Sequence, residues 1–173
     1  MTHRRADGFS LIELCVVIVI LGILFVMATA LLGRARISGN EASAIAAMRV
    51  INSSQFAYLN GCGHGYYATS FLILGTKTAG DSQGYISEDM GESTSPERNG
   101  YRFAMALGAD GAASGTDCMG RPTQTSYYAT GVPITLGTTG SRSFGTNKRG
   151  AIWQLFGSTP PAEPFGSPAT QAQ

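Results

Sequence analysis

The chain has 173 residues, a formal net charge of +1 and only 13% charged residues, so it carries no strong electrostatic footprint for nucleic acid. Its 23 glycines point to a loop-rich, turn-rich fold, and no internal repeat is present. What varies along the chain is hydropathy.

Residues 1–8 form a short polar stretch with His3, Arg4, Arg5 and Asp7. It is basic, as a cytoplasmic flank tends to be. From Phe9 to Leu32 the sequence is almost unbroken apolar. A helix of that length, at ~1.5 Å per residue, can cross a hydrocarbon core of about 30 Å. Val16 to Leu21 and Ile23 to Val26 leave no polar face, which is the pattern of a membrane span or a fully buried core helix. Glu13 is the one charged group in the run. A carboxylate in lipid is costly, so it either stays at the interface or protonated, or finds a positive partner in a neighbouring copy of the helix. A secretory signal peptide is the rival reading, with Ala28-Thr29-Ala30 as its cleavage site. An apolar run longer than the usual h-region, an acid inside it and a helical pattern that continues beyond it all weigh against that.

Gly8-Phe9-Ser10-Leu11-Ile12-Glu13-Leu14, with the basic leader and the apolar run, resembles the prepilin processing motif of type IV pilins and type II secretion pseudopilins. The resemblance is strong over residues 1 to about 60 and loose beyond. It implies cleavage by a prepilin peptidase between Gly8 and Phe9 and N-methylation of Phe9. It also implies that Glu13, the fifth residue after the cut, pairs with the new amine of a neighbouring subunit in a filament. One departure stands out. Many relatives carry proline where this chain has Ala30, so the second half of the span is expected to stay helical here.

Proline is absent from Phe9 to Leu59, which predicts one continuous helix ending at Asn60-Gly61; a break at Gly33 or Gly39 is the alternative. Its second half is amphipathic. Ile45, Met48, Ile51 or Asn52, Phe56 and Leu59 make the expected buried stripe, with Glu41, Arg49 and Gln55 elsewhere. After the loop 62–67, Ser70–Gly75 reads as one helical turn. Residues 76–100 read as a variable loop with a short strand at Tyr85-Ile86. Tyr101–Leu107 and Ser126–Thr135 read as strands, separated by a turn-rich connection from Gly108 to Gly120. Arg142–Thr146 and Ala151–Phe156 read as a hairpin around Asn147–Gly150. The tail from Ser158 to Gln173, with four prolines among Ala, Ser and Gln, reads as disordered.

Of the three cysteines, Cys15 lies in the span as a small apolar residue. Cys62 and Cys118 fall in an exported head, in an oxidising compartment, and are expected to form a disulfide. No zinc spacing, phosphate loop or nucleophile elbow appears, and His64 has no matching partner nearby. Neither catalysis, cofactor nor metal is therefore expected.

The expected protein is α+β, with the pilin fold: a long N-terminal helix packed by its second half on an antiparallel sheet of three or four strands. Its parts are a removed leader (1–8), a transmembrane and assembly helix (9–32) and an amphipathic continuation (33–60). A head (61–157) and a tail (158–173) follow. The resemblance implies a structural subunit of a type IV pilus-like filament. The alternatives are a pseudopilin of a periplasmic type II secretion pseudopilus, or a minor pilin whose head binds a surface or DNA. The implied partners are the prepilin peptidase, an inner-membrane assembly platform, membrane lipid before assembly, and copies of the chain itself.

Overall fold

The computed structural model describes residues 10–78, 80 and 82–172. Two compact units emerge, divided between Arg36 and Ile37. The first is the apolar part of helix α1 (Leu11–Asn60). The helix is unbroken at Gly33 and Gly39, and it stays helical through Ala30, as expected without a proline there.

The second unit is the head. It comprises the rest of α1, two short helices, α2 (Phe71–Gly75) and α3 (Glu88–Gly91), and two antiparallel sheets. The larger sheet runs β2 (Glu97–Arg98), β3 (Tyr101–Leu107), β6 (Tyr127–Pro133), β7 (Arg142–Asn147), β8 (Ile152–Phe156) and β9 (Thr170–Gln171) in that order. The smaller sheet orders β1 (Tyr67–Ala68), β5 (Pro122–Gln124) and β4 (Ala113–Thr116). The architecture is thus a long helix against antiparallel sheets, an α+β protein, with a six-stranded main sheet rather than three or four strands.

One face of the main sheet carries the core. Tyr101, Phe103, Ala129 and Phe144 project from it onto Ala44, Ala47, Met48, Ile51 and Tyr58 of α1. Register follows from alternation: Phe103 pairs with Gly131, and Gly131 with Phe144, so a ring-free position lies between two aromatic ones. A side chain at Gly131 would meet the Phe103 ring at 3.0 Å.

The buried stripe of α1 differs from expectation. It runs Glu41, Ala44, Met48, Ile51, Gln55 and Tyr58, an alternation of three and four residues, while Phe56 is exposed. Polar residues belong to the stripe because each meets a backbone or side-chain partner. Gln55 Nε2 donates to Ala68 O at 3.0 Å, and Ala68 N donates to Gln55 Oε1 at 2.9 Å. Asn52 Nδ2 donates to Gly150 O at 2.8 Å, and Asn52 Oδ1 accepts from Tyr127 and Thr146.

Three further expectations change. Tyr85-Ile86 is a bend rather than a strand: both residues donate backbone hydrogen bonds to Leu74 O, closing the loop onto α2. The connection 108–120 contains strand β4. Residues 158–172 are ordered rather than disordered. They lie on the sheet face opposite α1, where Tyr128, Gly145 and Trp153 project. Phe165 stacks on Trp153 at 5.6 Å and contacts Tyr128 at 6.1 Å. Tyr128 OH donates to Pro161 O, and Glu163 accepts from Ala109 N and Asn147 Nδ2. The segment ends as β9 on β8. Its one aromatic residue supplies the burial that its composition otherwise lacks. Phe165→Ala is therefore expected to destabilise the head by about 1–2 kcal/mol, read as a lower thermal midpoint, because it removes two aromatic contacts. An unchanged midpoint would show that the tail contributes nothing to folding.

Candidate functional site

α1 begins next to Ser10, whose carbonyl accepts from Glu13 N at 3.0 Å and from Leu14 N at 3.2 Å. Ser10 thus sits at the cap position and Glu13 in the first turn. Ser10-x-x-Glu13 has the spacing of a capping box, a signal in the sequence beyond the processing motif. A carboxylate at this end of a helix also faces the positive end of the helix dipole. Among the described residues Glu13 has no ion-pair partner.

From Leu11 to Met27 every large apolar side chain is exposed, from 45% at Val17 to 81% at Leu11. The helix is long and apolar enough to cross a membrane. Such a surface far exceeds what a soluble monomer leaves to water. It suits lipid or other apolar helices. Cys15 is a free, exposed cysteine within this surface. Gly8 and Phe9, the expected cleavage and methylation positions, lie outside the described residues.

In the head, Cys62 and Cys118 are joined by a disulfide, Cα–Cα 4.9 Å, across a sequence separation of 56. The bridge sits in a polar cluster. Asp117 accepts from Tyr58 OH at 2.8 Å, from Met119 N and Arg121 N at 2.8 Å each, and from Arg121 Nε at 2.7 Å. Where the chain comes into the head, Glu41 accepts from Ser141 N at 2.8 Å and from Ser141 Oγ at 2.6 Å, and it is paired with Arg142. Neither cluster was legible from sequence. Asp117 falls there within the turn-rich connection 108–120, and Glu41 on α1 outside the expected buried stripe.

Burial pushes both carboxyls upward, but their hydrogen bonds outweigh it. Arg142 and Ser141 hold Glu41 below its ordinary value. The Arg121 backbone N–H, Tyr58 hydroxyl, Met119 backbone N–H and Arg121 side chain do the same for Asp117. The folded values lie below the unfolded ones. Their stabilisation is therefore complete above the unfolded carboxylate range and is lost as pH falls through the folded values. The thermal midpoint of the head is expected to fall as pH drops from about 5 towards 2. Glu41→Gln should flatten that fall, and an unchanged acid profile would remove Glu41 from the account.

Among the described residues, no three of His, Cys, Asp and Glu come together to hold a metal ion. His64 lies in the exposed turn after α1, with φ 52°.

Helix, sheets and apolar segment together define an α+β protein carried on an N-terminal helix fit for a membrane. Residues 3–29 match the prokaryotic N-terminal methylation motif, and the chain thus bears the prepilin-type signal of type IV pilins and pseudopilins. No curated protein and no solved structure matches the chain. The motif supports a pilin-like or pseudopilin-like protein, and it implies processing by prepilin peptidase and filament assembly in general.

Proposed function

We propose that this chain is a structural subunit of a type IV pilus-like filament. In this reading residues 1–8 are removed and Phe9 is N-methylated. The span 9–32 waits in the inner membrane with the head in the periplasm. Assembly then transfers the span from lipid to a bundle of identical helices, where Glu13 pairs with the Phe9 amine of a neighbour. The observation that carries the reading is the apolar stretch of α1 from residue 11 to residue 27, every large side chain of it exposed, with one acid in the first turn. Lipid and copies of the same helix are the two surroundings that such a surface accepts. A charge partner for the acid comes only in the second, because a carboxylate left isolated in the first is unfavourable.

The test is the intact mass and N-terminal sequence of the protein recovered from sheared cell-surface filaments. Abundant chain beginning at methylated Phe9 supports a pilus subunit. The same processed chain confined to the envelope turns the reading towards a pseudopilin or a minor subunit. A chain beginning after Ala30 overturns it.

A further inference from the structure

The head exposes large apolar residues at scattered points and at one concentration. Ile134 (43% exposed) lies two residues from Leu136 (51%) and donates its N–H to Gly100 O at 2.9 Å, while Leu136 and Phe156 (79%) attach to residues 140–142. Leu136 bridges to Gly140, Phe156 pairs with Arg142, and Gly157 N donates to Ser141 O at 3.0 Å. This is also where α1 comes into the head. Asn40 Nδ2 donates to Thr139 O at 3.0 Å, and Glu41 binds Ser141 and Arg142. The three apolar residues therefore lie on segments whose neighbours Thr139, Ser141 and Arg142 bind the start of the head's own part of α1.

That start is tethered. Leu32 closes the apolar run and Ile37 opens the head, so no more than about 18 Å of chain joins them, whatever its course. The joining stretch holds Arg34 and Arg36 and no acid before Glu41, which is itself paired with Arg142. Residues 134–140 carry no charge at all. Apolar side chains among hydroxyls and glycines, in a head joined to the span through a stretch with two basic residues, suit the boundary of an anionic bilayer.

We propose that Ile134, Leu136 and Phe156 form a foot that seats the head on the phospholipid headgroup region of the bilayer holding the span. The proposal rests on the reading that residues 9–32 span a membrane. The foot holds the unassembled head at the surface, and its release accompanies extraction of the subunit.

The test uses the full chain in phosphatidylcholine–phosphatidylglycerol vesicles whose acyl chains are brominated near the carbonyl. Trp153 is the one tryptophan, so Trp153→Phe gives a silent background. Phe156→Trp and, separately, Leu136→Trp are introduced into it. Each is expected to lose roughly half its emission, as a side chain seated about 5–10 Å into the boundary does. Phe56→Trp, about 28 Å farther along α1 than Ile37, is expected to stay bright. Phe25→Trp reports the span. Quenching at Phe25→Trp with none at the two foot positions overturns the foot and leaves the span intact. No quenching at Phe25→Trp removes the membrane reading beneath it. A foot signal that changes only when protein density in the vesicle rises assigns these residues to contact between copies, and overturns lipid docking.

Discussion

Glu13→Ala is expected to leave the processed chain present in the membrane at near-normal level and to abolish filaments. In the proposed filament, apolar side chains would surround the assembly helix, so any charge left there would lack water. Before assembly the carboxylate near the helix start costs at most a few kcal/mol, since it lies close enough to the interface to keep solvent. In the proposed filament the Phe9 amine and the Glu13 carboxylate would compensate one another. Removing one leaves the other buried and unpaired, a loss of about 3–5 kcal/mol per subunit. At 1.4 kcal/mol per tenfold, that weakens each addition step by at least about 100-fold. A filament would add many such steps in series, so a loss of this size is expected to remove filaments rather than shorten them. Glu13→Gln keeps the shape without the charge and should behave almost as badly, because the amine is still unpaired. The measurement is the ratio of sheared to membrane-bound chain by immunoblot, with intact mass to show cleavage and methylation. Normal filaments from Glu13→Ala would show that apolar packing alone sets the register.

The same contrast between apolar pattern and polar partnership explains what the sequence disclosed. Helix α1 was legible because an apolar run without proline leaves little choice, and β3, β7 and β8 because their spacing and the turn at Asn147–Gly150 agree. The stripe of α1 was misplaced because apolar periodicity counts Phe56 and discounts Glu41 and Gln55. Burial of those two depends on Arg142, Ser141 and Ala68, residues 13 to 101 positions away. The small sheet was missed because its strands have two to four residues and no alternation, and pairing across the chain alone defines them. The tail was misread because composition averages over Phe165, and a single aromatic that finds Trp153 and Tyr128 outweighs four prolines. In the candidate site, the processing motif and Glu13 were legible as local sequence. Asp117 and Glu41 were not, since a loop acid becomes a buried cluster only through distant donors.

Loss of the Cys62–Cys118 bridge is expected to destabilise the head by about 4 kcal/mol, from the loop-closure entropy restored to an unfolded chain freed of a 56-residue link. For a head of this size that corresponds to a thermal midpoint lower by roughly 15 °C. The location makes the effect larger than loop length alone implies for function. The bridge fastens the end of α1 to the β4–β5 connection, and Cys118 N also donates to Cys62 O at 2.9 Å. Asp117 beside it ties Tyr58 of α1 to Arg121. Without the covalent link, the last turns of α1 and the small sheet rely on that polar cluster, which acid weakens. The double variant Cys62→Ser, Cys118→Ser should therefore show a steeper acid dependence than wild type as well as a lower midpoint. Wild-type chain treated with reductant should match it. Thiol counting on denatured, unreduced protein supplies the independent check. One reactive thiol, Cys15, is expected from the three cysteines. Three reactive thiols, or equal midpoints for variant and wild type, would show that α1 and the small sheet hold together without the bridge.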